Sequence, residues 1–70
     1  MPRTIYAFEV EAYMPNPELT KSQALAQGSV IATLIVEAYS HDQAAHHTLQ
    51  SVHEEGLFVS RLRLVDKKPS

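Results

Sequence analysis

All four histidines of this chain fall between Ala38 and Gly56, in AYSHDQAAHHTLQSVHEEG. Imidazole ligates metals and exchanges protons near neutral pH, so His41, His46, His47 and His53 are where chemistry is sought first. On a helical wheel Asp42, His46 and His53 share one edge, His47 lies on the most exposed side and His41 on the opposite edge. Asp42 and His46 are four residues apart, a spacing at which two side chains can share an ion. His53 stands about 10 Å farther along the axis at 1.5 Å per residue, whereas a zinc–nitrogen bond is only about 2 Å long. A third ligand would have to come from another strand or subunit, and the spacing nominates none. His53-Glu54-Glu55-Gly56 also lacks the second histidine of HExxH. The expectation is a solvated helix face with no metal. A histidine-dependent metal-binding protein and a pH-sensitive partner surface stand as alternatives, since protonating all four would move the formal charge from −2 to +2.

Other chemistry is sparse. None of the serines sits in GxSxG, and no serine–histidine–acid arrangement is legible from spacing. Glu9 and Glu11 share a strand face as a general acid and base would, but cross-strand arginines mark them as structural. Two glycines leave no phosphate-cradling loop. Arg61, Arg63, Lys67 and Lys68 form a small basic end that reads as a solvated strand edge. A catalytic pocket typically needs about 300 Å³ or more, which a chain this short rarely encloses. The reading is not an enzyme, with no cofactor.

The elements that position these residues must come from a small chain. Its 70 residues make one α+β domain over residues 1–66, followed by a polar tail at 67–70. Chains of this size often need a disulfide, a metal or a second subunit for stability. Cysteine is absent, so a second subunit is the favoured support. A net charge of −2 from six basic and eight acidic residues has neither the basic excess of a nucleic-acid binder nor the acidic density of a DNA mimic. The start of the chain, MPRTIYAFEVEA, has no apolar run of signal-peptide length. VIATLIV is too short to span a bilayer. Cytoplasmic residence, with no membrane partner, is the expectation.

Thr4 to Met14 alternates with period two, Tyr6, Phe8, Val10, Ala12 and Met14 opposing Glu9 and Glu11, and it ends at Pro15-Asn16-Pro17. In residues 16–28 a short, weakly held helix or helical loop is expected, with Asn16 as cap or a second capping box at Thr20 and Gln23. Ser29 to Tyr39 is the strongest strand, apolar on both faces, and such a strand is usually central and covered twice. Ser40 and Gln43 form a capping box, Tyr39 and Ala44 a hydrophobic staple, and Gly56 suits the C′ position of the histidine helix. Ala45, Thr48, Leu49 and Val52 form its inward stripe. Leu57 to Val65 is the last strand, and the DKKPS tail reads as frayed.

These elements assemble as three strands with one main helix on one face. Val30 to Val65 reads as a βαβ unit with a parallel strand pair, and the first strand is favoured as antiparallel. The inner core is Phe8, Val10, Leu34, Val36, Leu49, Val52, Phe58, Leu62 and Leu64. The outer face carries Ile5, Glu9, Glu11, Ile31, Ile35, Glu37, Tyr39, Val59, Arg61, Arg63 and Val65. So many apolar residues on an uncovered face point to self-association or a protein partner, unless ion pairs keep that face solvated or the weak helix covers it.

The stretch IVEAYSHDQAAHHTLQSVHEEGLFVSRLRLV, residues 35–65, has a strand ending in V-E-A-x-S, a helix with alanine and leucine inward, then G-[LF]-x-V and a closing strand. It resembles small phage-encoded anti-CRISPR proteins, and the N-terminal segments of type II secretion and type IV pilus assembly-platform proteins look alike too. The latter resemblance implies a membrane segment, which this sequence lacks. The former implies a free-standing protein of phage or mobile-element origin that binds a CRISPR effector subunit and blocks target recognition or nuclease recruitment. It transfers no site residue, because such inhibitors share no common site motif. His41-Asp42 is similar to the dipeptide that names a class of metal-dependent phosphohydrolases, whose ligands come from more helices than this chain has.

The residues together point to a non-enzymatic protein-binding inhibitor or regulator. Its candidate contact residues are Glu9, Glu11, Ile31, Ile35, Tyr39, Val59, Arg61 and Arg63. A small structural or adaptor homodimer is the alternative.

Overall fold

The structure, a computed structural model, describes residues 2–70. Strand β1 spans Thr4–Tyr13, helix α1 Lys21–Gln27, strand β2 Ser29–Ala38, helix α2 His41–Glu54 and strand β3 Phe58–Pro69. The strands form one antiparallel sheet in the order β2-β1-β3. Helix α2 lies on one face of it, where Ala44 and Val52 meet Tyr6, Phe8, Val10, Ala12 and Ala38.

Both helices start where local chemistry directs. Thr20 Oγ1 accepts from the Gln23 N–H at 3.2 Å and Gln23 Oε1 accepts from the Thr20 N–H at 2.9 Å, closing the capping box of α1. Asn16 instead organises the preceding turn, its Oδ1 accepting from the Glu18 N–H at 2.9 Å. At α2, Ser40 Oγ accepts from the Gln43 N–H at 3.1 Å. The Gln43 side chain, however, reaches past the cap to the Tyr39 N–H at 2.8 Å, so the expected reciprocal box is displaced by one residue. The helix ends in a Schellman motif. Gly56 takes φ +80°, its N–H donates to the His53 carbonyl and the Leu57 N–H donates to the Val52 carbonyl.

The strand order corrects the expected βαβ pair. β2 and β3 point the same way, but β1 lies between them and pairs antiparallel with each. The strand apolar on both sides is therefore an edge strand, and the alternating strand is the central one. One helix layer covers one sheet face, so even the middle strand needs only alternate apolar residues. The second apolar face of β2 is surplus to this core.

Two register shifts change which residues of β3 face inward. Ala7 pairs with Asp66 and Phe8 with Leu64, leaving Val65 as an extra residue; Glu11 pairs with Arg61 and Ala12 with Val59, leaving Ser60 extra. Each bulge reverses the alternation that follows it. Val59, expected outside, therefore packs against the core, while Phe58, expected inside, pairs with Tyr13 and is 50% exposed. The Ser60 hydroxyl fastens its bulge to β1, donating to Glu11 Oε1 at 2.7 Å with the Glu11 carbonyl oxygen 3.2 Å away.

The helix stripe is rotated from the expected one. Ala44, Thr48 and Val52 are buried, while Ala45 and Leu49 are half-buried. Small Ala44, 0% exposed, lets the helix approach the sheet closely, and the buried Thr48 hydroxyl donates to the Ala44 carbonyl at 2.9 Å. Leu34, Val36, Leu62 and Leu64 pack at the margin of this core. The polar end, expected to fray, instead continues β3 through Pro69, with Lys67 opposite Tyr6 and Lys68 opposite Ile5. Pairing with the central strand supplies hydrogen bonds that composition does not reveal.

Candidate interaction surface

On the sheet face opposite α2, side chains line up in rows across the strands. Thr33, Glu9 and Arg63 make one row, Ile31, Glu11 and Arg61 the next, and Ile35, Ala7 and Asp66 flank them on the other side. Read along the strands, the same face sorts by chemistry. β2 contributes isoleucines, β1 glutamates and β3 arginines.

Of the residues expected to form a contact surface, Glu9, Glu11, Ile31, Ile35, Arg61 and Arg63 do share this face. Ile31 is 63% exposed and Ile35 66%. Tyr39 sits just beyond the end of β2, exposed, beside Arg3. The Arg3 Nε donates to the Tyr39 hydroxyl at 3.4 Å, and its guanidinium carbon stands 5.5 Å from the ring centre. The Arg3 guanidinium is held above its ordinary range, first by that hydrogen bond, then by the charge interactions with Tyr39 and Glu37. Val59 does not belong to the surface, because the Ser60 bulge turns it inward.

The anticipated ion pairs form in part. Arg63 Nη2 reaches Glu9 Oε1 at 3.2 Å. Glu37 is matched by Arg3 at 3.6 Å and accepts from the Ser70 hydroxyl at 3.0 Å, while Glu11 is taken by Ser60 rather than by Arg61. Helix α1 covers only the Tyr13 and Phe58 end of this face, since Ile31, Ile35 and Val65 all remain exposed.

Two features were not foreseen. Val30 belongs to the inner face yet is 56% exposed, because α2 leaves β2 partly uncovered. There it rims an apolar groove of about 260 Å³ with Val10, Ala12, Leu34, Val52 and Leu57. At the far end Phe58 packs edge-on against Tyr13, ring centres 6.0 Å apart, in a cleft that also takes Pro15, Leu19 and Ala24. The one sequence sign of this was Ser60, a polar residue on the apolar side of an alternating strand.

The histidines scatter. His41 lies edge-on to Phe8 and Tyr6, at 5.4 and 6.2 Å between ring centres, and its Nδ1 is 3.7 Å from Asp42. His46 and His53 border a shallow concavity with Leu49, Gln50 and Glu54. Among the described residues no three histidines or carboxylates converge on a point where an ion would sit. No helix of the described residues is long and apolar enough to cross a membrane.

Comparison of the chain with protein-family models, curated proteins and solved structures finds no match.

Proposed function

We propose that this chain is a non-enzymatic protein-binding inhibitor or regulator that acts by covering a surface of another protein. The observation that carries the reading is the exposed isoleucine strip of β2 set beside the Glu9–Arg63 pair on one uncovered sheet face. Contiguous apolar surface beside paired charge is the make-up of a contact site, with the charges setting orientation. The Glu9 and Glu11 carboxylates are engaged by Arg63 and Ser60, which supports a structural use for them. The partner is a protein, and the site of action is the cytoplasm. The likeness of residues 35–65 to anti-CRISPR proteins makes a CRISPR effector subunit the first candidate.

Affinity capture from bacterial lysates with and without expressed CRISPR effectors, read by mass spectrometry, tests this. One protein retained at fixed stoichiometry by the native chain, and lost with Ile35→Glu, is the expected result. Equal recovery of every protein by both baits would remove the reading.

A second reading, a small structural homodimer, is favoured by one further observation. Among the described residues β2 has a single neighbouring strand, and its other edge is open along its whole length.

A further inference from the structure

The sheet has two edges, and they are built differently. β3 carries two bulges, Arg61, Arg63, Lys67, Lys68 and a terminal Pro69. Each of these is a device that keeps a foreign strand from docking. β2 runs opposite β1 without a register shift from Ser29 to Ala38, contains no proline, and bears one charge, Glu37. Its unpaired N–H and C=O groups are a template for another strand, with exposed apolar side chains on both sides.

The order of residues along β2 says which strand. About a two-fold axis through Thr33, an antiparallel second copy sets Thr33 against Thr33, Ile31 against Ile35, Ala32 against Leu34, Val30 against Val36, and Ser29 against Glu37. From Val30 to Val36 every apolar residue then meets an apolar one, and threonine meets threonine, a favourable cross-strand pair. Moving the axis to Leu34 would set Ile31 against Glu37; moving it to Ala32 would set Ile35 against Ser29. Parallel, in-register pairing would place the two Glu37 side chains together, whereas the Thr33 axis sets them at opposite ends of the β2 pair. Because this axis matches odd positions with odd, both α2 helices stay on one side and the two outer faces join. On the helix side, Val36 and Leu34 of the second copy come beside Val30 and Ala32, at the open rim of the 260 Å³ groove.

We propose that two copies of this chain join edge to edge along β2, antiparallel about Thr33, in one six-stranded sheet. The proposal rests on the self-association reading and gives it a surface and a register. The nine paired residues, Ser29 to Glu37, make a contact about 30 Å long. Side chains from both faces widen that strip, Ile31 and Ile35 on one face and Val30 on the other.

The test uses the full chain, which has no cysteine of its own. Light scattering over a concentration series gives the mass of the native protein against 7.8 kDa for one copy. Thr33→Cys, treated with a short thiol-reactive cross-linker, is expected to give a covalent dimer, and Lys68→Cys on the opposite edge is not. Thr33→Lys changes an exposed edge residue, so circular dichroism should show an intact fold while the dissociation constant rises roughly tenfold or more. A native protein that stays monomeric at millimolar concentration overturns both the proposal and the self-association reading. A dimer that lacks the Thr33→Cys cross-link, or that Thr33→Lys leaves intact, overturns the proposal alone.

Discussion

Arg63 Nη2 and Glu9 Oε1 meet at 3.2 Å across the β1–β3 ladder, on the uncovered side of the sheet and beside Thr33 of the edge strand. Both side chains keep substantial exposure, so water and salt screen the pair. A double-mutant cycle with Glu9→Gln and Arg63→Met should return a coupling of about 0.2–1 kcal/mol. Repeating it at about 1 M salt, where the Debye length is near 3 Å, should reduce that coupling. A salt-insensitive coupling of several kcal/mol would mean that the pair is buried in the protein's working state.

Ile35 tests the contact surface from the stability side. Being 66% exposed, it contributes little to the core, and Ile35→Glu should shift urea unfolding of the monomer by no more than about 0.5 kcal/mol. Partner capture or dimer formation should fall sharply in the same protein. Unchanged assembly together with unchanged stability would remove Ile35 from any interface.

Ala44 sets the distance between α2 and the sheet. It has no exposed surface and belongs to the central cluster with Phe8 and Val52. Ala44→Leu should overpack this contact and destabilise by about 1–3 kcal/mol in equilibrium unfolding. The same substitution at half-buried Ala45 should be milder.

Gly56 terminates α2 at φ +80°, and a Cβ placed there would meet no atom within 4 Å. The expense of Gly56→Ala is thus backbone strain alone, about 1–2 kcal/mol. Gly56→Asn should lose less, because asparagine tolerates the left-handed region. Equal losses in the two variants would point to an unseen steric contact instead.

His46 and His53 lie on the helix flank away from the buried Ala44–Thr48–Val52 line. Replacing both with glutamine should leave stability within about 0.5 kcal/mol of the native protein. Partner binding by the double variant should match that of the native protein. A zinc-dependent rise in melting temperature that disappears in the double variant would restore a metal role to the helix.

Much of the candidate surface was legible in residue order. Glu9, Glu11, Ile31, Ile35, Arg61 and Arg63 share a face because alternation on each strand holds between the bulges. Val59 was misplaced because the alternation is counted along one strand, and an extra residue at Ser60 appears only against a partner strand. Tyr39 was rightly expected to be exposed, but its engagement with Arg3 crosses 36 positions of sequence, and no local pattern encodes that.

The sequence by itself determined what short-range chemistry decides. Thr20 and Ser40 start helices, Gly56 ends one, the Pro15–Pro17 segment stops β1, and β-branched residues extend β2. Each of these rests on groups a few residues apart, whose geometry one chain segment settles. Tertiary structure alone decided that β1 is the middle strand, that β2 is an open edge, and that Phe58 and Val59 exchange faces. Those outcomes depend on hydrogen bonds between strands distant in sequence and on how much sheet one 14-residue helix can cover. The apolar residues of β2 mark it as a strand; only the place it takes at the sheet's edge leaves them in reach of a partner.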